Sequence, residues 1–307
     1  MGLNDIVRQI QMEGEITSDD VLRSNIVKQV LYKESALMSI GTAIIPETKW
    51  PTLDAKWTFS TEVDGEFPVP EGAIALRSKP VEWVQWGATM QMAEYRFMIT
   101  DFAKARMMQN IQFNDQVQRG AEYFAEKQDY QILDALYTGA GATSVTVGAG
   151  NEWDANASTT DIEGDLMSAW NYLVDESNIK LKDMGNVSIV YPAKVDGYLR
   201  GLKMIGNVNQ SMMTYLKKSF GWSFYPTRYY NETTSVGIQD DALMIVAGNK
   251  TARHGVYNGN AIPLSETWRV HGRGTEFLTK KLFFTKIQPE SSSVTTSYRI
   301  CKIANVI

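Results

Sequence analysis

The sequence predicts an α+β fold in which one long helix is combined with extended strands from both halves of the chain. Three observations predict this class. An apolar period of helical spacing runs through residues 115–138, long strand-like segments lie before and after it, and helix alternates with strand between about 155 and 260. The alternating block is therefore predicted to be an insertion into a platform made of the helix and the strands.

Composition limits the classes of function. The 307 residues are enough for one large domain or two ordinary ones, and the formal net charge of −5 argues against a broad basic face for gripping nucleic acid. Cys301 is the only cysteine, which excludes an intrachain disulfide and a thiolate zinc site; we expect it to be a small buried apolar residue. Without a signal-peptide pattern or a run of about 20 apolar residues, we expect a cytoplasmic protein with no membrane partner.

The N-terminal residues predict a short amphipathic helix. Leu3, Ile6, Val7 and Ile10 share one helical face, so residues 3–12 form a helix or an arm that becomes helical against a partner. Residues 20–50 show no single long period, and we expect them to end as extended chain at "IIPETKWP".

The segment from 60 to 80 is the most unusual part of the sequence. It lies between the strand-like runs "KWTF" and "VEWVQWGATMQMAEYRFMI", and it is rich in Gly, Pro, charged and small apolar residues. It is too long for a tight turn and too apolar for a free linker. A two-stranded ribbon is marginal alone and needs another surface, so we predict that this arm packs on a neighbouring copy. The alternative is a long hairpin folded over its own subunit.

The long helix is predicted to be a spine for the fold. Thr100 and Asp101 suit the start of a short helix before it. The spine itself is predicted within 113–138, and residues 115–138, where the apolar period is regular, would form a helix roughly 36 Å long at 1.5 Å per residue. We expect Asn114 to cap its start and Gly139 to end it in a left-handed conformation.

The elements after the spine follow in order. A glycine-rich connector, "GAGATSVTVGAG", contains the short strand "SVTV", and a helix with the apolar stripe Leu166, Trp170, Leu173 and Val174 comes next. "NVSIVYP" is a strand of the buried type, Pro192 suits the first turn of a helix, and "QSMMTYLKKSF" forms another helix. "ALMIVA" and "HGVYNG" are strands, and strands dominate from about 264 to the end.

No motif for catalysis or ligand binding stands out, so we expect no catalytic, cofactor or metal site. His254 and His271 are the only histidines and lack an H-x-x-x-H spacing, so each is expected at a partly exposed strand end. There is no G-x-S-x-G elbow, and "GAGATS" lacks the Gly-Lys-Ser/Thr ending of a phosphate loop and follows a helix where such a loop must open one.

The order of elements resembles a known family. An N-terminal arm, an extended β loop, a capped short helix, a long helix ending in "ALYTGAG", a glycine-rich connector, an α/β block and closing strands follow one another over nearly the whole chain. This arrangement resembles the major capsid proteins of tailed double-stranded DNA viruses, whose Hong Kong 97 fold is also used by encapsulin nanocompartments. The stretch most similar to the family is "FNDQVQRGAEYFAEKQDYQILDALYTGAG".

The resemblance implies a division into regions. Residues 1–55 would be the N-terminal arm, 56–92 the E-loop, 93–154 with 261–307 the peripheral domain, and 155–260 the axial domain, with "GNVNQSMM" or "YYNETTSVGIQDD" near the ring centres. The E-loop residues expected at the contact between subunits are Trp57, Phe59, Glu62, Asp64, Glu66, Phe67, Val69, Ile74, Leu76, Arg77 and Lys79. No motif marks a partner for a crosslink from Lys56 or Lys79, so we expect none.

The function that the resemblance implies is structural and not enzymatic. Identical chains would assemble into hexamers and pentamers of an icosahedral viral head that encloses double-stranded DNA and contacts it weakly. Portal and scaffolding proteins would be partners, with a decoration protein as an optional further one; the location would be the virion, after assembly in the host cytoplasm. One alternative is an encapsulin-type shell around a cargo enzyme, to which the helix at 3–12 would contribute. Another is an α/β enzyme with its site in the central block.

Overall fold

The structure, a computed structural model, describes residues 20–60, 83–102, 109–140, 145–155, 160–176, 186–205, 208–231, 236–270, 273–288 and 296–307. The helices within these ranges are α1 (Asp20–Met38), α2 (Ile40–Ile44), α3 (Gln109–Gly139), α4 (Ile162–Glu176), α5 (Asp196–Arg200) and α6 (Met212–Phe220). The strands are β1 (Glu47–Trp50), β2 (Asp54–Ser60), β3 (Trp83–Thr89), β4 (Gln91–Thr100), β5 (Val145–Thr146), β6 (Val187–Pro192), β7 (Leu202–Ile205), β8 (Val208–Ser211), β9 (Ser223–Thr227), β10 (Tyr230–Asn231), β11 (Val236–Gly237), β12 (Ala242–Val246), β13 (Ala252–Tyr257), β14 (Ser265–Val270), β15 (Gly274–Ile287) and β16 (Ile300–Ala304).

A five-stranded sheet built around β15 forms the platform. β4 runs antiparallel to β15 along one edge from 274 to 283, while β14 and then β13 pair with the other edge. β1 adds to β13 in parallel. Side chains alternate across the sheet, so Phe277 and Phe283 face one side, whereas Leu282 and Phe284 face the other. The platform therefore has two separate apolar faces.

The spine helix α3 and the helix α1 cover the first face. Val27 and Leu31 of α1 pack with Phe124 of α3 and with Phe97 and Phe277 of the sheet. The interpretation of residues 1–55 as an arm is therefore wrong for 20–50, where α1, α2 and β1 are integral parts of the platform. Residues 1–19, which include the helix predicted at 3–12, lie outside the described ranges.

The spine is longer than predicted, and its ends differ. It covers Gln109–Gly139, so Asn114 lies inside the helix and not at its start. Gly139 is not among the glycines with positive φ. A Cβ atom at Gly139 would lie 2.4 Å from Cγ1 of Ile287, which makes close packing, and not a left-handed turn, the reason for glycine here.

The central block is a second five-stranded sheet, in the order β5-β16-β12-β6-β9. Every residue of β6 and β12 is buried. Ile189 faces a core formed with α4, which includes Leu166 and Leu173 as the sequence predicts. Val190, the next residue, faces the opposite side and packs with Ile132 of the spine. The spine is thus the element shared by the two sheets.

The sheets divide the chain differently from the predicted boundaries. β5 and β16 lie within 93–154 and 261–307, yet both belong to the sheet of the central block. β13 lies within 155–260, yet it belongs to the platform. The reason is that strand pairing joins residues far apart in sequence, which local patterns do not report. Cys301 on β16 is buried in the core of the block, as predicted.

Candidate assembly site

The strands β2 and β3 form the stem of the predicted arm. They pair antiparallel, from Asp54 opposite Thr89 to Ser60 opposite Trp83. Phe59 lies on the paired part of this stem opposite Val84. Most of the predicted contact residues lie in 61–82, outside the described residues: Glu62, Asp64, Glu66, Phe67, Val69, Ile74, Leu76, Arg77 and Lys79.

Trp57 anchors the stem on the second face of the platform. Its side chain is 6% exposed, and its ring stacks on Phe284 at 5.7 Å between centroids. Trp50 lies 6.0 Å from it, and Ala55 and Met90 complete the cluster. Trp57, which the sequence predicts at the contact between subunits, is thus buried within its own subunit, because alternation along β2 turns Ala55 and Trp57 toward the platform.

Two cations lie over the tryptophans of the stem. The guanidinium of Arg253 is 5.3 Å from the ring centroid of Trp57, and Lys286 Nζ is 5.3 Å from that of Trp86. Trp57 and Trp86 are cross-strand partners in the stem, and Arg253 and Lys286 are cross-strand partners in the platform. Burial lowers the pKa of Arg253. Cation–π contacts thus join the stem to the sheet beneath it.

A buried polar network lies on the opposite face of the same sheet. Lys281 on β15 is 0% exposed, and its Nζ donates to Ser35 Oγ at 3.0 Å, Glu47 Oε1 at 2.9 Å and Gln128 Oε1 at 2.8 Å. These three acceptors come from α1, β1 and α3. A buried ammonium with three donors thus has three partners, which is the condition for keeping a charge inside a protein.

His254 on β13 extends this network. The Gln128 amide donates to Glu47 Oε1 at 2.6 Å and lies 3.0 Å from His254 Nε2, so that ring nitrogen is the acceptor. His254 Nδ1 then donates to Thr285 Oγ1 at 2.9 Å. The residue is 0% exposed, so the prediction of a partly exposed strand-end histidine is wrong. Its neutral ring is part of a network that links two helices to three strands.

The charges of the network set its response to pH. Burial lowers the pKa of His254 to about 4 and also lowers the pKa of Lys281, an effect that Glu47 opposes. Burial alone would raise the pKa of Glu47, but Lys281 and Gln128 outweigh it and hold that pKa below its usual range. The folded platform therefore favours a neutral histidine beside a lysine–glutamate ion pair.

We predict that His254 makes folding sensitive to mild acid. In the unfolded chain it binds a proton near pH 6.5, whereas in the folded chain it does so only near pH 4. Its contribution to the free energy of unfolding should therefore fall by about 1.4 kcal/mol per pH unit below 6.5 until the folded ring titrates. Urea unfolding of wild type and His254→Gln at several pH values between 7.5 and 4.5 measures this slope. A flatter profile for the variant is expected; equal slopes would remove His254 as the cause.

Hydrogen bonds also fix the spine to the elements around it. Asp129 Oδ1 accepts from Ser39 Oγ at 2.6 Å and from the Gly41 amide at 2.7 Å, and so holds the start of α2. Burial raises the pKa of Asp129 despite these bonds. On the block side, Tyr229 Oη donates to Asp134 Oδ1 at 2.9 Å. The spine is thereby tied by polar contacts to α2 on one side and to Tyr229 on the other.

Both faces of the platform are covered by other elements of the chain. The described ranges contain no group of three or more His, Cys, Asp or Glu side chains placed to hold a metal ion. Within them, no helix has the length and hydropathy needed to span a bilayer. The two faces of the platform instead bind the spine with α1 and the stem of the arm.

Comparison with known proteins gives similarity in structure alone. No family model matches the chain, and no curated protein matches it in sequence. A virus-like particle from Pyrococcus furiosus is 12% identical with a TM-score of 0.58, over 92% of this chain and 99% of that chain. Mycobacterium phage Bobi gives 12% identity and a TM-score of 0.57, over 87% and 90% of the two chains. The capsid of Myoviridae phage XM1 gives 12% and 0.54, over 83% and 86%.

Proposed function

The chain has the Hong Kong 97 type capsid fold, and from this premise we propose that it is a structural major capsid protein. It self-assembles into the hexamers and pentamers of an icosahedral shell that encloses double-stranded DNA. Its main partner is itself, and portal and scaffolding proteins are further partners. It is located in the virion, after assembly in the host cytoplasm.

One observation carries this proposal. The fold is shared over most of the chain with proteins from several shells, among them the capsid of phage XM1 and the capsid of a native GTA particle computed with C5 symmetry. Both comparisons cover more than four fifths of this chain, so the similarity includes the platform, the spine and the central block together. The same fold over this share of the chain, at only 12% identity, supports the same structural role in a shell.

The geometry gives each region a proposed part in assembly. The platform is the peripheral domain, and its buried network and spine make it rigid. The central block, with its sheet in the order β5-β16-β12-β6-β9, is the axial domain around the ring centres. The hairpin of 56–92 is the E-loop, whose stem is held by Trp57 and whose residues 61–82 reach a neighbouring copy. A net charge of −5 suits a shell wall that contacts DNA weakly.

A second candidate is an encapsulin-type compartment around a cargo enzyme. The observation that favours it is the virus-like particle from Pyrococcus furiosus, because the alignment covers 99% of that chain and 92% of this one. The fold therefore supports a compartment around a cargo enzyme as well as it supports a viral capsid. The two candidates differ in what the particle contains.

Electron microscopy of the purified full chain tests the proposal. We expect closed particles, which size-exclusion chromatography separates from free subunits. Nuclease-protected double-stranded DNA in particles from an infected or reconstituted host supports the capsid, whereas a co-purified enzyme inside small shells supports the compartment. A chain that stays a small oligomer at every concentration, with a pocket in the central block that binds small molecules, would contradict both and support an enzyme.

A further inference from the structure

Four buried nitrogen donors around the hairpin stem have no hydrogen-bond acceptor in the structure as described. They are Nε1 of Trp50, Trp57 and Trp86 and Nε of Arg253. Such groups are rare in folded proteins, because a buried donor loses its bond to water and gains nothing in return. All four belong to one cluster, since Trp50, Trp86 and Arg253 each contact or face Trp57. The cluster is therefore short of hydrogen-bond acceptors.

The same cluster holds two cations that repel each other. Arg253 and Lys286 are directly opposite on β13 and β15, a position in which like charges destabilise a strand pair. Among the described residues, their recorded contacts are with the rings of Trp57 and Trp86, and neither forms an ion pair with an acid. Arg253 is half-buried, so water screens its charge poorly. An anion beside Arg253 and Lys286 would offset the repulsion and add an acceptor to a cluster that lacks them.

We propose that Arg253 and Lys286, beside the ring of Trp86, form a receptor for a carboxylate side chain from a second copy of the chain. The receptor rests on the proposed function, because the second copy is a neighbour in the shell. A carboxylate has two oxygens with several acceptor positions and forms its strongest bonds with arginine and lysine. Lys286 is exposed, so the cluster is open to solvent at that end.

The acidic arm of the neighbouring copy is the source that the sequence favours. Residues 61–82 contain five acidic side chains, Glu62, Asp64, Glu66, Glu71 and Glu82, and two basic ones, Arg77 and Lys79. Glu82 directly precedes β3, which leaves Glu62, Asp64, Glu66 and Glu71 as the candidates. Each subunit of a ring carries one such arm and one such receptor, so every receptor has the acidic arm of a neighbour beside it. This supplies the carboxylate without any further protein.

Removing the two charges tests the receptor. Arg253→Gln with Lys286→Gln keeps polar side chains of similar reach but removes the positive charge. We expect the concentration needed for shell assembly to rise about ten-fold or more, because charged hydrogen bonds between subunits are lost. Urea unfolding should show that the unassembled subunit still folds, because the loss of two cation–π contacts is offset by relief of the repulsion between the two charges. Lys217→Gln with Lys218→Gln removes the same charge from the exposed last turn of α6 and is the matched control.

Charge exchange identifies the acid. Lys286→Glu should block assembly, and one of Glu62→Lys, Asp64→Lys, Glu66→Lys or Glu71→Lys in the same chain should restore it. If wild type assembles and the double Gln variant assembles equally well, the receptor is refuted while the proposed function stands. Failure of all four exchanges refutes the arm as the source of the carboxylate. Unchanged assembly with less retained DNA would mean that Arg253 and Lys286 bind a DNA phosphate instead. A wild type that forms no shells refutes the proposed function and the receptor with it.

Discussion

Deleting residues 62–78 is expected to leave a soluble, folded subunit that no longer forms closed shells. The stem β2–β3 stays, because Trp57 is held by Phe284 and Trp50 within the same subunit. The residues that remain between Ser60 and Trp83, namely 61 and 79–82, are enough for a short hairpin loop. The proposed contact with a neighbouring copy lies in the deleted segment, so the deletion should abolish assembly without preventing folding.

Two measurements decide this prediction. Urea unfolding of the deleted subunit should resemble that of unassembled wild type, and electron microscopy should find no closed particles. A variant with the sequence of 62–78 scrambled is the matched control, because it keeps the length and composition of the arm. The scrambled arm should also fail to assemble. Closed shells from the deletion would mean that this segment makes no essential contact.

Replacing Lys281 by Met is expected to lower the free energy of unfolding by about 3–5 kcal/mol, the range for removing one partner of a buried ion pair. The loss leaves Glu47 without its counter-charge and Gln128 Oε1 and Ser35 Oγ without their donor. Because these groups belong to α1, β1 and α3, the whole platform should weaken. Soluble yield and urea unfolding of the purified subunit measure the effect.

Lys280→Met is the matched control for this substitution. Lys280 is the next residue on β15, but its side chain points to the other face, where Nζ lies 3.3 Å from Glu266 Oε1 and 3.9 Å from Glu94 Oε1. Ion pairs near the surface contribute about 0–1 kcal/mol, so the control should change stability little. Equal losses for the two variants would show that position 281 needs no charge.

Elements with a strong local period were predictable from the sequence. The spine and α4 each show an apolar stripe at helical spacing, and their Phe124 and Leu166 are indeed core residues. The buried runs of β6 and β12 predicted strands correctly. The helix α1 was missed, because its buried side combines Val27 and Leu31 with the polar Ser35 and so shows no continuous apolar stripe.

The buried network was not predictable from motif spacing. Its members Glu47, Gln128, His254 and Lys281 meet only after strands and helices far apart in sequence have packed. One signal was present in the alternation of β15. Phe277, Thr279 and Phe283 face the helices, and Lys281 occupies the same face of the strand, where a charged residue needs buried partners.

The sheet membership of the strands was also hidden from local patterns. β13 and β16 each look like an ordinary buried strand, and only pairing decides that β13 joins β15 while β16 joins β12. In the same way, alternation along β2 shows that Trp57 and Ala55 share a face, but not that this face is turned toward Phe284 of their own subunit.

The most direct test of the assembly model is the position of residues 61–82 in a purified particle, determined by cryo-electron microscopy. The model predicts that this segment leaves its own stem and lies on the platform of a neighbouring copy. A segment folded back over the subunit that carries it, within particles that still close, would contradict the claim that one copy completes the next.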